Sequence, residues 1–393
     1  MRSASDRIPM LDLVAQHAEI EEELLESFAE VMASSHFVLG EAVETFESEL
    51  AKCCEARHAV SCNSGTDALW LALRALEIGP GDAVLCPAYS FFATAATISR
   101  LGATPVFCDI DPKTLNLDPT DALHRAEQTP NLRAILTVDL FGRLSELGPL
   151  EPWCRERGIP IIEDAAQAIG AIDQSGRKVG ERATMTCFSF YPTKNLGALG
   201  DAGAIVTSDE RLRDRLSSLR VHGEATKGVY DELGINSRMD SLQAAALSIK
   251  LGHLDRWTRA RNQLALRYDA LFGERGAAPS NHLFETGSLP LQTPSPCPSP
   301  GRHTYHRYVI RVPSDRRAPL IAALDQAGID SDIYYPLGLH EQPALTAHRP
   351  DAPLRETERA ARETLALPLY PEMRSDAIEY VVEETTRALS PQV

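Results

Sequence analysis

AILTVDL at positions 134–140, LGPLEPWCRER at 147–157 and PIIED at 160–164 decide the fold of this chain. The first and third segments are short and β-rich, and the segment between them has the apolar spacing of a helix. A strand, a helix and a second strand in this order form a crossover unit with two parallel strands. The third segment ends in two acids, Glu163 and Asp164, at the edge of the predicted sheet.

The same alternation continues on both sides of this unit. Helical patterns cover residues 66–76, 92–101 and 119–126, and two further helices precede them near the N-terminus. Strands are predicted at 58–62, 83–86, 105–109, 184–190 and 204–208. We therefore expect an α/β fold whose large domain contains a mostly parallel sheet of seven strands flanked by helices.

The pattern changes after Arg238. One long helix is predicted at about 239–271, and a proline-rich surface loop follows at 288–302. Strands at 308–312 and 331–335 and helices at 318–327 and 376–389 predict a smaller C-terminal α/β domain. We place an N-terminal segment and the large domain in residues 1–255 and the small domain in 256–393, although 393 residues could also form three domains.

Composition argues against several classes of protein. The 39 basic and 55 acidic residues give a net charge of -16, which disfavours a nucleic-acid surface and a polybasic membrane anchor. No apolar stretch approaches the roughly 20 residues of a membrane span, and the N-terminus lacks the apolar core of a signal peptide. We expect a cytoplasmic protein with no nucleic-acid or membrane partner, whose eight cysteines are reduced thiols and form no metal site.

Small residues between a strand and a helix, in Asn63-Ser64-Gly65-Thr66-Asp67, mark the first part of a ligand site. Backbone N–H groups at a helix N-terminus, together with the helix dipole, favour a phosphate group. The alternative is an ordinary helix cap formed by Ser64 or Thr66.

Asp164 lies where a parallel strand ends, at the edge where such folds bind ligands. A carboxylate placed there can keep the ring nitrogen of pyridoxal phosphate protonated, so that the ring takes up electrons. Glu163 should not share this role, because neighbouring strand residues point to opposite faces. Gln167 is then placed to hydrogen-bond the phenolic oxygen of the ring. The alternative makes Asp164 only the cap of a short helix at 165–170.

Lys194 follows the next strand, in a turn between Pro192 and Gly197. A lysine that bonds to the aldehyde of pyridoxal phosphate must be partly desolvated so that its amine is neutral. Ser189 can supply a hydroxyl to the phosphate, or it can bond to the backbone as a core serine. Together these residues indicate a pyridoxal phosphate site, whereas Lys194 alone would also fit an exposed loop.

Five motifs in chain order resemble the DegT/DnrJ/EryC1/StrS family of sugar aminotransferases, which are pyridoxal phosphate enzymes of fold type I. They are NSGTDAL at 63–69, EDAAQAIG at 163–170, SFYPTKNL at 189–196, GDAG at 200–203 and GINSRMDSLQAA at 234–245. The resemblance runs from about residue 8 to residue 370. It implies a fold type I transferase that forms a homodimer with shared active sites.

The resemblance implies a role around the cofactor ring for four residues. Lys194 would bond to the aldehyde and act as catalytic base and then acid, beside Asp164 at the ring nitrogen. Gln167 would face the phenolic oxygen. Phe91 would stack on the ring, unless it is a core aromatic at the start of a helix.

Four further residues would hold the cofactor phosphate. Gly65, Thr66 and Ser189 would contact it within one subunit. Asn236 resembles the residue that reaches the phosphate from the second subunit.

For the substrates, the resemblance points to Arg238 and His222, near Asn236, and to Tyr334 and His340, in a segment over the pocket. Cations there would suit a diphosphate on so acidic a chain. Each of the four also fits a surface salt bridge or a packing position. The family usually has a histidine where Asp139 stands, and this extra carboxylate could affect the choice of substrate.

The resemblance implies an aminotransferase with two half-reactions. Glutamate or glutamine would give its amino group to the cofactor, and a keto sugar linked to a nucleotide diphosphate would accept it to become an amino sugar. The same residues fit an enzyme that aminates a cyclitol such as scyllo-inosose or another carbocyclic ketone. A non-catalytic regulatory relative is the third alternative, and the presence of Lys194 counts against it.

Overall fold

A seven-stranded sheet forms the centre of the computed structural model, which describes residues 7–279 and 288–390. Its strands are β1 (His58–Cys62), β2 (Ala83–Pro87), β3 (Thr104–Cys108), β4 (Leu132–Val138), β5 (Ile161–Asp164), β6 (Met185–Ser189) and β7 (Gly203–Thr207). They lie in the order β1-β7-β6-β5-β4-β2-β3. Only β7 is antiparallel to its neighbours, β1 and β6. The predicted α/β fold with a mostly parallel sheet of seven strands is confirmed.

Helices cover both faces of this sheet, so strands such as β2 and β5 are buried along their whole length. The helices are α1 (Leu13–Ala18), α2 (Glu21–Ser34), α3 (Glu41–Cys53), α4 (Gly65–Ala75), α5 (Ala93–Arg100), α6 (Pro119–Glu127), α7 (Leu150–Arg157) and α8 (Glu210–Leu219). Side chains of Ser64, Asp118 and Asp209 accept hydrogen bonds from the first turns of α4, α6 and α8, which fixes where these helices begin. A short antiparallel hairpin, β8 (Glu224–Thr226) and β9 (Val229–Tyr230), follows α8.

The long helix predicted at about 239–271 is α9 (Ser241–Glu274). One stripe of α9 is buried, including Lys250, Trp257 and Arg261. Lys250 Nζ donates to the carbonyl of Gly197 at 2.7 Å, in the loop that follows Lys194. Arg261 Nη1 donates to the carbonyl of Leu369 at 2.8 Å, so α9 joins the loop to the C-terminal part of the chain.

A smaller sheet forms the C-terminal part, with strands β10 (Ala278–Pro279), β11 (Gln292–Thr293), β12 (Tyr308–Arg311) and β13 (Thr364–Leu367). It packs with α10 (Ser314–Gln326), α11 (Arg355–Glu363) and α12 (Ser375–Leu389). The segment at 288–302, predicted as a surface loop, contains the short buried strand β11. The N-terminal residue Ile8 also joins the core of this part, through a bridge to Ile329. The domain boundary at 255/256 stays a prediction. The ends of the two predicted domains, residues 1–6 and 391–393, lie outside the described residues.

The strand predicted at 331–335 is wrong. Asp332 alone pairs, in an isolated bridge with Ala366 of β13. The hydroxyl of Tyr89 instead donates to the carbonyl of Tyr334 and accepts the N–H of Tyr335 at 3.0 Å. A side chain thus occupies the backbone groups that a neighbouring strand would need.

No helix in residues 7–279 and 288–390 combines the length and the apolar content needed to cross a membrane.

Glu163 and Asp164 point to opposite sides of β5, as the alternation of a strand requires. Glu163 is held in a buried cluster, where Arg182 Nη2 lies 2.5 Å from its Oε1 and Thr186 Oγ1 donates to its Oε2 at 2.8 Å. Arg182 also contacts Asp139 at 3.3 Å. The side chains of Arg182, Glu163 and Asp139 are no more than 3% exposed, so this ion cluster is fully desolvated.

Arg182→Met should therefore destabilise the fold by about 3–5 kcal/mol, because it leaves buried carboxylates without their cation. Urea unfolding would measure the loss. Arg155→Met is the matched control: Arg155 pairs with Glu151, but its side chain is 75% exposed, so the change should cost less than about 1 kcal/mol. Equal losses in the two variants would contradict the importance of the cluster.

Candidate active site

A cavity of about 590 Å³ opens at the carboxyl ends of β4, β5 and β6. Its volume is typical of a small-molecule site. The cavity is lined by eight of the residues predicted from the sequence: Gly65, Thr66, Phe91, Asp164, Gln167, Ser189, Lys194 and Tyr334. Residues separated by most of the chain are thus brought together at the edge where parallel sheets bind ligands.

Asp164 ends β5 and is buried at the floor of the cavity. Thr94 Oγ1 donates to its Oδ2 at 3.0 Å, and the N–H of Ala166 donates to its Oδ1 at 3.2 Å. Burial raises the pKa of the Asp164 carboxyl, while these hydrogen bonds and the charge of Lys194 act against the rise. No helix follows at 165–170, so Asp164 is not a helix cap.

Lys194 lies in a turn after β6, where its N–H donates to the carbonyl of Tyr191 at 2.8 Å. Burial lowers the pKa of its amine to about 8, against the opposing charge of Asp164 and with a smaller contribution from Arg307. An ordinary exposed lysine keeps a pKa near 10.4. The lowered pKa therefore makes far more of the Lys194 amine neutral near physiological pH than in an exposed lysine, and nucleophilic attack requires the neutral form.

The N-terminus of α4 faces the same cavity. Ser64 Oγ accepts the N–H of Asp67 at 3.1 Å, so the cap proposed from the sequence is present. The N–H groups of Gly65 and Thr66 have no acceptor in the described part of the chain, and they lie at the positive end of the helix dipole. The cap uses the N–H of Asp67 and leaves those of Gly65 and Thr66 free, so it is compatible with an anion site at this helix end.

Glycine at position 65 lets α4 approach β6. A Cβ at this position would lie 2.6 Å from Ser189 Cβ, closer than two carbon atoms can pack. The two free N–H groups and the Ser189 hydroxyl are thereby held side by side. This cradle fits a phosphate group, and the buried carboxylate and lysine beyond it fit the rest of pyridoxal phosphate.

Gln167 is oriented by two hydrogen bonds. Its Oε1 accepts the N–H of Phe141 at 2.7 Å, and its Nε2 lies 3.2 Å from the hydroxyl of Tyr335. The ring of Phe91 lies 6.2 Å from the ring of Tyr335 at the mouth of the cavity. Phe91 is 57% exposed and precedes α5, which excludes the core aromatic considered as its alternative.

Sequence reasoning missed His306 and Arg307, which line the cavity from the C-terminal sheet. Asn195 Nδ2 donates to the carbonyl of Thr304 at 3.0 Å, so its Oδ1 is the acceptor for His306 Nδ1, 3.1 Å away. The proton of His306 therefore lies on Nδ1, which leaves Nε2 as an acceptor. Burial, followed by the charges of Arg307 and Lys194, holds the pKa of His306 well below its usual range.

Asp139 also lines the cavity, and its charge is modified by the ion cluster behind β5. Burial and the neighbouring charge of Glu163 raise its pKa well above the usual value. For Glu163, the charge of Arg182 and several hydrogen bonds outweigh burial and lower the pKa. The Asp139 carboxyl thus lies in the ion cluster with Arg182, and its side chain is fully buried there.

Four predicted residues lie outside the cavity. Asn236, Arg238 and His222 are exposed, although Ser237 between them ties this segment to the phosphate loop by accepting the N–H of Asn63 at 3.1 Å. His340 is buried with its ring 6.4 Å from that of Phe107, and neither of its nitrogens has a hydrogen-bond partner among the described residues.

A mostly parallel sheet with a partly buried lysine and a buried carboxylate at its carboxyl edge is the arrangement of a fold type I aminotransferase. The chain belongs to the DegT/DnrJ/EryC1/StrS aminotransferase family, whose pattern matches residues 18–386. The family resemblance inferred from the five motifs is confirmed.

Individual relatives match along nearly the whole chain. A pleiotropic regulatory protein of Geobacillus stearothermophilus is 42% identical, over 96% of this chain and 97% of its own. The dTDP-3-amino-3,4,6-trideoxy-alpha-D-glucose transaminase of Streptomyces venezuelae is 40% identical, over 95% and 93%. The crystal structure of S. venezuelae DesV with a ketimine intermediate superposes with a TM-score of 0.90, at 37% identity, covering 98% of this chain and all of that one (100%).

Gly65→Ala should weaken cofactor binding about tenfold or more, because the added Cβ pushes the phosphate loop away from Ser189. The measurement is the dissociation constant of pyridoxal phosphate, from quenching of protein fluorescence. Gly79→Ala serves as the control, since a Cβ at Gly79 meets no atom within 4 Å. Undiminished affinity in Gly65→Ala would contradict the phosphate cradle.

Proposed function

We propose that this aminotransferase uses pyridoxal phosphate to move an amino group from glutamate or glutamine to a keto sugar linked to a nucleotide diphosphate. The observation that carries the proposal is the pair of Lys194, which has a lowered pKa, and buried Asp164 beside the free N–H groups of α4. A lysine with a lowered pKa, a carboxylate and an anion cradle in one cavity match the three polar parts of this cofactor.

When bound, pyridoxal phosphate supplies an aldehyde that exchanges amino groups and a ring that takes up electrons. Gly65, Thr66 and Ser189 would hold its phosphate, and Asp164 would hold its ring nitrogen. Because Thr94 and Ala166 already donate to both oxygens of Asp164, its orientation is set before the cofactor arrives.

Lys194 Nζ would carry the proton during transfer. Its lowered pKa of about 8 brings the neutral amine within reach of physiological pH, so it can accept a proton from the substrate carbon and then donate it. Gln167 and Tyr335, which contact each other at 3.2 Å, would position the ring from one side. Phe91 would cover the ring at the mouth of the cavity.

The acceptor is proposed from the relatives. A transaminase that is 40% identical carries the name of a dTDP-linked amino sugar, which supports a nucleotide-linked keto sugar here. A cyclitol or another carbocyclic ketone remains the second candidate, because the cofactor residues would be the same. The regulatory name of the relative at 42% identity raises the third alternative, and the buried Lys194 favours catalysis over it.

We also propose a homodimer with shared sites. Asn236, Arg238 and His222 are exposed and lie outside the cavity of their own chain, where a second subunit can use them. Next to them the hairpin region exposes large apolar side chains: Val229 by 53%, Tyr230 by 58% and Leu233 by 84%. Such apolar exposure is typical of a surface that another chain covers.

The rate at which apoprotein bonds pyridoxal phosphate should rise with pH and level off above about pH 8. Below the pKa of Lys194, about 8, the amine is mostly charged and cannot attack; above it, the amine is neutral. Growth of visible absorbance would follow the reaction, and borohydride would fix the cofactor to the Lys194 peptide for mass spectrometry. Lys194→Ala, the control, should bind the cofactor without this covalent step. A rate that does not change between about pH 6 and about pH 9 would count against this role of Lys194.

A substrate panel would test the acceptor. The pyridoxamine form should lose its absorbance with one of the dTDP-, UDP- or GDP-linked keto sugars and should not react with scyllo-inosose. Discharge by scyllo-inosose alone would favour the cyclitol enzyme. No discharge by any ketone, from a protein that holds the cofactor, would oppose both.

A further inference from the structure

Arg307, directly before β12, presents a buried cation to the cavity. The residue is 8% exposed. Its Nη1 donates to the carbonyl of His306 at 3.0 Å, and its Nε has no partner among the described residues. No carboxylate in residues 7–279 and 288–390 forms an ion pair with it, which distinguishes it from most buried arginines of this chain.

The contrast with other buried arginines is informative. Arg182 is paired with Glu163 at 2.5 Å, and Arg311 with Glu363 at 2.5 Å. Arg261 also lacks a carboxylate, but it donates to the carbonyls of Tyr305 and Leu369 and does not line the cavity. A buried guanidinium without an anion is costly, so Arg307 at a cavity wall is suited to an anion that enters with a ligand.

The side chain of Arg307 is oriented by the ring of Tyr334 and acts electrostatically on two residues of the cavity. Its guanidinium carbon lies 5.3 Å from the centre of the Tyr334 ring, a cation–π contact that holds the planar group against the wall. Its charge lowers the pKa of both His306 and Lys194, which places it within electrostatic reach of the reacting amine. Arg307 and Lys194 are the cations among the described residues that line this cavity.

We propose that Arg307 binds the α-carboxylate of the amino-acid donor through paired N–H groups of its guanidinium. The planar fork of arginine matches a carboxylate in geometry as well as in charge. This inference rests on the proposed function, since it names the group by which that same site would recognise its donor.

Position favours the donor over the acceptor as the source of the anion. The carbon that gives up its amino group must come to Lys194 Nζ, and in an amino acid the carboxylate is bonded to that carbon. In a nucleotide-linked sugar, the diphosphate is separated from the reacting carbon by ring atoms. A cation that lines the same cavity as Lys194 and acts on its charge therefore suits the amino acid.

The test uses the holoenzyme of the wild type, Arg307→Met and Arg307→Lys. Spectroscopic titration of the first half-reaction gives the dissociation constant of glutamate, and calorimetry gives that of glutarate, a dicarboxylate that cannot react. Arg307→Met should weaken both at least about tenfold, and Arg307→Lys should restore part of the loss. Arg302→Met is the matched control: Arg302 is paired with Asp255 at 2.7 Å, outside the cavity, and the variant should bind glutamate normally.

Thermal unfolding separates binding from a structural role. Ligand-free Arg307→Met should be at least as stable as wild type, because it removes a buried unpaired charge. Glutarate should raise the melting temperature of the wild type and leave that of the variant unchanged. A less stable variant that binds glutamate normally would show a structural residue and overturn the proposal.

Three other outcomes would also overturn it. A loss confined to the keto sugar in the second half-reaction would assign Arg307 to the acceptor. Failure of wild-type protein to form a borohydride-stable bond at Lys194 would contradict the proposed function, and the role of Arg307 with it. If the cofactor bonds normally to Lys194 but Arg307→Met binds glutamate and glutarate as wild type does, only the role of Arg307 is contradicted.

Discussion

Desolvation of an amine and a carboxyl in one cavity is the constraint on which the site depends. Burial lowers the pKa of Lys194 to about 8 and raises that of Asp164, and each charge partly offsets the effect on the other. The charges of Lys194 and Asp164 can offset the effects of burial on each other's pKa only while both groups stay at the same edge of the sheet. Parallel pairing of β5 with β6 provides this, because it brings the carboxyl ends of both strands to one place.

Strand β5 serves stability and chemistry with adjacent residues. Glu163 faces the helix layer and is bound by Arg182, whereas Asp164 faces the cavity. The cluster behind the strand also holds the Asp139 carboxyl, whose pKa is raised by burial and by the charge of Glu163. A residue that looked from the sequence like an additional charge for a substrate is thus bound inside the fold by Arg182.

The sequence pattern predicted those structural features that depend on residues close together in the chain. Alternating strands and helices predicted the sheet, and strand ends predicted that Asp164 and Lys194 would meet at one edge. Arg307 was missed because its importance comes from a wall of the cavity supplied by a distant segment. The strand predicted at 331–335 failed for the same reason, since the hydroxyl that replaces its pairing belongs to Tyr89. Contacts between distant segments leave no periodic signal in either sequence.

Helix α9 carries Lys250 to the Gly197 carbonyl and Arg261 to the Leu369 carbonyl. The two cations are about three helical turns apart, so they project from one side of the helix. Each residue inserted or deleted between them would rotate one cation by about 100° relative to the other. The length of α9 therefore fixes the spacing between the lysine loop and the C-terminal part of the chain. Substitutions on the solvent side of the helix leave this spacing unchanged, whereas insertions and deletions do not.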